Sequence, residues 1–94
     1  MTDIDPFKMT RREALDKIKR LSPRQYSALY LIIMGNSYQQ TALIMGIHYK
    51  TLAAYLMVCK VKMDAQTVAQ AAAIMAVGLA MRRITLLSNV TRKQ

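Results

Sequence analysis

An all-α fold is what this chain predicts, on three observations. Helix breakers are scarce, with two prolines and three glycines in 94 residues. Apolar side chains recur at three- and four-residue spacing, the period of a helix with one buried face. Capping signatures also recur, at Thr10-Arg-Arg-Glu13, Ser37-Tyr-Gln-Gln40 and Thr67-Val-Ala-Gln70, in each of which a hydroxyl serves one orphan N–H and the fourth side chain reaches back for another. Ninety-four residues suffice for one domain, which at this size buries roughly 60–65% of its unfolded surface.

The first capping box opens a short helix to about Arg20, with Ala14, Leu15 and Ile18 on one side and cations on the other. It is expected to pack lightly, so residues 1–20 are taken as an N-terminal extension. Ser22-Pro23 then reads as an N-cap followed by a first-turn proline. Tyr26, Leu29, Tyr30 and Ile33 form the core stripe of that second helix, which should end at Gly35.

Ser37 to Met45 is the third helix, with Ala42 small enough for another helix to cross close by. Gly46 stands where the chain must reverse, a position open to left-handed backbone without steric cost only for glycine. Ile47 plugs the corner, and a fourth helix, 48–63, begins near His48. On a helical projection Leu52, Tyr55, Leu56 and Cys59 point inward, while Lys50, Ala53, Ala54, Met57 and Val61 point outward.

Thr67 opens the last helix, expected to stop between Val77 and Arg83. Its apolar residues leave almost no polar side: Ala69, Ala72, Ala73, Ala76 and Ala80 make one stripe, Val68, Met75 and Leu79 a second, and Ile74, Val77 and Met81 a third. Such a helix must be covered on both sides. A second copy across a two-fold axis would supply the outer cover, and those five alanines are the expected dimer contact. The alternative cover is the N-terminal helix. Residues 21–83 thus make the domain, and 84–94 a flexible tail.

Two helices hinged on one glycine are how a chain builds a helix-turn-helix. The residues Leu21-Ser-Pro-Arg24, Gly35-x-Ser37, Ala42-x-x-Met45-Gly46-Ile47, Lys50-Thr51-Leu52 and Lys62-Met63 resemble the LuxR/GerE family of bacterial DNA-binding domains, from residue 21 to about 80. The stretch 72–77 is similar to the last helix of quorum-sensing members. The resemblance implies a four-helix domain, here with an extra short N-terminal helix. It also implies a homodimer that docks the second motif helix on a pseudo-palindromic stretch of double-stranded DNA to regulate transcription.

The chain departs from the family where bases would be read. Ala53, Ala54 and Met57 occupy positions that are polar or basic in the family, Tyr55 stands for its histidine, Leu56 for a common arginine and His48 for its serine cap. Gln25 replaces a glutamate and Gln39 a lysine. Bidentate readout, worth about 1–3 kcal/mol per base pair, is not available from alanine or methionine. Binding is therefore expected to be mostly electrostatic, with Tyr38, Gln39, His48, Tyr49, Lys50, Thr51, Lys60 and Lys62 holding phosphates or sugars and Ala53, Ala54 and Met57 touching thymine methyls. An apolar outward stripe suits a protein partner as well. The second reading is accordingly an anti-activator or adaptor that binds another transcription factor through this face or through the alanine-rich helix.

Charge favours a polyanion. The net charge is +9, and four of five acids (Asp3, Asp5, Glu13, Asp16) precede residue 17, leaving only Asp64 beyond. The start is polar and acidic rather than a signal peptide. The longest apolar run, Ala71 to Met81, falls short of the roughly 20 residues of a membrane span. One cysteine, Cys59, on the inward side, makes no internal disulfide and fits a reducing cytoplasm. No Cys/His pairs stand at metal-ligand spacing, no cofactor motif occurs, and one histidine with five mostly N-terminal acids assembles no catalytic constellation. With some twenty residues ahead of the domain, no input domain is expected, so control would come from expression level or a partner.

Overall fold

The computed structural model describes the backbone from residue 9 to residue 92 and the side chains from 9 to 81. Five helices follow one another: α1 (Arg11–Lys19), α2 (Pro23–Ile33), α3 (Tyr38–Met45), α4 (Tyr49–Lys62) and α5 (Val68–Arg92). No single helix among the described residues is long and apolar enough to cross a membrane.

Each start is made by the residue expected. The Thr10 hydroxyl accepts from Glu13 N–H at 3.2 Å, the one half of the expected box that forms at α1. Ser37 and Gln40 satisfy each other reciprocally at 3.1 and 2.9 Å. Ser22 and Gln25 form a further full capping box, at 3.3 and 2.9 Å, which Gln25 achieves because an amide oxygen reaches back as a carboxylate does. At α5 the Thr67 hydroxyl accepts from Gln70 N–H at 3.0 Å, while the Gln70 amide oxygen accepts from Gln66 N–H.

Three helices end in one kind of reversal, with paired backbone bonds from the two residues beyond the last turn. In α2 these run from Asn36 to Leu31 and Gly35 to Ile32, in α3 from Ile47 to Ala42 and Gly46 to Leu43, and in α4 from Ala65 to Lys60 and Asp64 to Val61. The left-handed residue of the last is Asp64, at φ 54°, a conformation that aspartate enters more readily than most side chains.

The core lies between α2, α4 and α5. Ala28 and Leu29 come from α2, Leu52, Leu56 and Cys59 from α4, Met63 from its end, and Ala71, Ile74 and Met75 from α5. Burying a leucine such as Leu52 contributes about 1.5–3 kcal/mol. α3 adds Ala42 and the buried Thr41, whose hydroxyl donates to the Ser37 carbonyl at 2.8 Å, so that no polar atom is left without a partner there.

Three expectations change. α1 does not pack lightly: Ala14 and Ile18 are buried against α5, where Gly78 leaves them room. A Cβ on Gly78 would stand 2.8 Å from the Ile18 Cδ1 and 3.1 Å from the Ala14 Cβ. Tyr30 is exposed rather than in the core, and its ring stacks on Tyr26 at 6.0 Å; the buried side of α2 is centred on Ala28 and Leu29, so the stripe is rotated toward the alanine. α5 runs on to Arg92 instead of stopping by Arg83. Beyond Gly78 the sequence holds neither glycine nor proline, so nothing local ends it. Of the residues assigned to a flexible tail, 84–92 are therefore helical in backbone, and 93 and 94 lie outside the described residues.

Candidate functional site

α3 and α4 meet across the turn 46–48 at 104°. Gly46 makes that corner at φ 66° and ψ 36°, and Ile47 is partly buried against the core behind it. The first residues of the two helices come side by side, with the Tyr38 and Tyr49 rings 6.1 Å apart and tilted at 42°. Helix starts carry unpaired N–H groups and a partial positive charge, so one flank of the corner is electropositive apart from its side chains.

His48 is the N-cap of α4, its Nδ1 accepting from Lys50 N–H at 3.2 Å. That lone pair exists on the neutral tautomer with its proton on the other nitrogen. The imidazole thus does for this helix start what the hydroxyls of Thr10, Ser22 and Ser37 do for the three before it. Gln39, Tyr49, Lys50, Thr51, Ala54 and Met57 are exposed, whereas Tyr38, Ala53, Lys60 and Lys62 are half-buried.

Lys62 is engaged: its ammonium donates to the Gln25 amide oxygen at 2.9 Å. It also lies about 18 Å from Lys50 along the helix axis, so the two lysines mark opposite ends of α4. Only Lys50 stands at the open corner. Replacing Gln25 by Glu should keep the capping box and turn the Lys62 contact into an ion pair. The expected gain is up to about 1 kcal/mol, fading with added salt; thermal melts at low and high ionic strength check it.

Between the lysines the outward side of α4 is apolar. Met57 is 50% and Val61 68% exposed, with Val58 and Ala54 beside them. Two further residues, outside those expected from the sequence, are exposed: Leu43 at 82% and Ile44 at 59%. Their signal was there: a helix capped at Ser37 that buries 38, 41, 42 and 45 must present 39, 40, 43 and 44.

The five alanines expected as the dimer contact divide. Ala71, Ile74, Met75 and Gly78 face inward, and at 100° per residue Ala69, Ala73, Ala76 and Ala80 fall directly opposite them. Ala69 and Ala80 are exposed, Ala73 and Ala76 half-buried, and Ala72 packs at the edge of the core. Four of the five therefore lie on one uncharged line, two of them exposed and two half-buried among the described residues.

Cys59 is buried, its thiol donating to the Gln25 carbonyl at 3.4 Å. Burial pushes it up to about 11, which keeps it protonated and unreactive. No cluster of three or more His, Cys, Asp or Glu side chains suited to a metal occurs among the described residues. Compared with protein-family models, curated proteins and solved structures, the chain finds no match.

Proposed function

We propose that this chain is a small transcriptional regulator of the LuxR/GerE helix-turn-helix type, which lays α4 on duplex DNA and pairs with a second copy along α5. The observation that carries the reading is the corner itself. A crossing of 104° lies within the roughly 90–120° of such motifs, and it leaves the outer side of the second helix clear of the rest of the domain. Lys50 and Thr51 in the first turn, Tyr38 and Tyr49 flanking it, and a net charge of +9 supply phosphate contacts. Ala54 and Met57 supply apolar contact in place of base-edge hydrogen bonds. The line Ala69, Ala73, Ala76 and Ala80, which carries no charged side chain, allows close approach of two α5 helices.

Fluorescence anisotropy of a labelled duplex, titrated between about 50 and 200 mM salt, tests it. Affinity should fall linearly on logarithmic axes, and Lys50→Ala should lower the slope by about one unit. Sedimentation of the same samples reports whether one copy or two is bound. A flat salt response, or a slope untouched by Lys50→Ala, overturns the reading.

A second reading is favoured by a specific observation, the exposure of Leu43, Ile44, Met57 and Val61. Large apolar side chains in such number suit a protein partner, and the chain would then be an adaptor acting on another transcription factor. It predicts negligible duplex affinity at physiological salt, together with an interaction that Met57→Asp abolishes.

A further inference from the structure

We propose that α1 is a strap that holds α4 in its pose from behind, with Lys17 and Arg20 as the positioning residues, and that it opens as a unit ahead of the rest of the fold. Its attachment has two parts. On α5, Ala14 and Ile18 sit in the notch at Gly78, which any side chain would fill. On α4, the Lys17 ammonium donates to the Met63 carbonyl at 2.9 Å, and the Arg20 guanidinium donates to the Lys62 carbonyl at 3.0 Å. Those carbonyls belong to the end of a helix, where intrahelical partners run out and cations are favoured.

Asp64 completes the clasp. Its carboxylate takes Arg20 at 3.1 Å and Lys17 at 3.7 Å, and the Arg20 hydrogen bond, then the Lys17 charge, hold its carboxyl below the usual range. The same residue closes α4 in left-handed backbone. One side chain pair thus fixes the last carbonyls of α4 and the residue that turns the chain toward α5. Lys62, whose carbonyl Arg20 holds, is tied to α2 through Gln25, so side chains from both α1 and α2 anchor α4 at its C-terminal end.

Opening need not dissolve the core. Ala28, Leu29, Leu52, Leu56, Cys59, Met63, Ala71, Ile74 and Met75 all lie outside α1, whose own buried share is two residues. The clasp is open to solvent at Arg20 and Asp64, with side chains 47% and 68% exposed, so salt weakens it. The part of its attachment that reaches α4 is made of hydrogen bonds and screened charges, which belong to the low end of local stability. The geometry stands whatever α4 docks on, and the test needs no ligand.

Amide hydrogen exchange of the full chain, followed by NMR, decides the matter. Lys17→Met combined with Arg20→Ala should speed exchange of amides 13–19 and 60–64 together by about ten-fold, leaving the amides of Leu52 to Leu56 unchanged. Gly78→Ile, whose Cβ would meet Ile18 and Ala14 first, should loosen the end of α4 in the same way, whereas Lys17→Arg should stay at the wild-type rate. If Gly78→Ile fails to fold, the double variant decides by itself. Exchange of α1 at the rate of the core, or a loosened α1 with amides 60–64 unaltered, overturns the strap.

Discussion

Leu56→Ala is expected to cost about 2–5 kcal/mol, while Met57→Ala next to it stays within about 0.5 kcal/mol. Leu56 has no exposed surface, and it stands on the inward line of α4 with Leu52, Cys59 and Met63. Truncating it opens a void in the core that α2, α4 and α5 share, and packed helices close only partly over such a void. For a domain whose total stability is about 5–15 kcal/mol, that is a large share. Met57 is half exposed, so its truncation removes area that was mostly in water already. Urea unfolding of both variants reads the difference. A helix turned by one residue about its axis would reverse the order. The same pair separates folding from docking: Met57→Ala should leave the unfolding midpoint alone and change whatever binding α4 performs.

Local signals in this sequence proved legible because their chemistry is local. Ser37 with Gln40, and Thr10 with Glu13, act over three residues, and Gly46 needs nothing beyond its own missing Cβ to turn the chain. The inward side of α4 was legible too, since Leu52, Leu56 and Cys59 share one face of a helix. Tyr55 on that face is only half-buried. What the sequence concealed depends on partners far along the chain. Lys62 looks like a free cation until α2 brings Gln25 beneath it, 37 residues away in sequence, and Lys17 and Arg20 look like a solvated edge until α4 ends beside them.

Alanine conceals more than charge does. Along α5 the side chains of Ala69, Ala71, Ala72, Ala73 and Ala76 are identical, so spacing alone offers several stripes of equal hydrophobicity. Only the larger Ile74 and Met75 distinguish a buried side, and Ala71 joins them because α2 and α4 already occupy that flank. The notch at Gly78 has no sequence signature at all, for a helical glycine reads as a weak point rather than as a seat for Ile18. Likewise Leu43 and Ile44 look like core residues by type, and only the register set at Ser37 turns them outward.

The corner carries the second large expectation. Gly46→Val should destabilise the domain by about 2 kcal/mol or more, Gly46→Ala by about 1 kcal/mol, and Gly46→Asn by less than either. The ordering follows from the backbone alone, because a Cβ built on Gly46 meets nothing within 4 Å while φ is 66°. Crowding therefore makes no contribution, and what remains is the clash of each side chain with its own carbonyl. That clash is worst for a branched Cβ and least for asparagine. Chemical denaturation of the three variants checks the series, and equal losses in all three would mean that the left-handed turn is not what sets the angle. The consequence for docking is direct. The 104° between α3 and α4 rests on the paired bonds from Ile47 to Ala42 and Gly46 to Leu43, and valine at 46 forces the chain either to bear the strain or to give up those bonds. In the second case the first turn of α4, with Lys50 and Thr51, leaves its place beside Tyr38. Binding should then fall further than stability does.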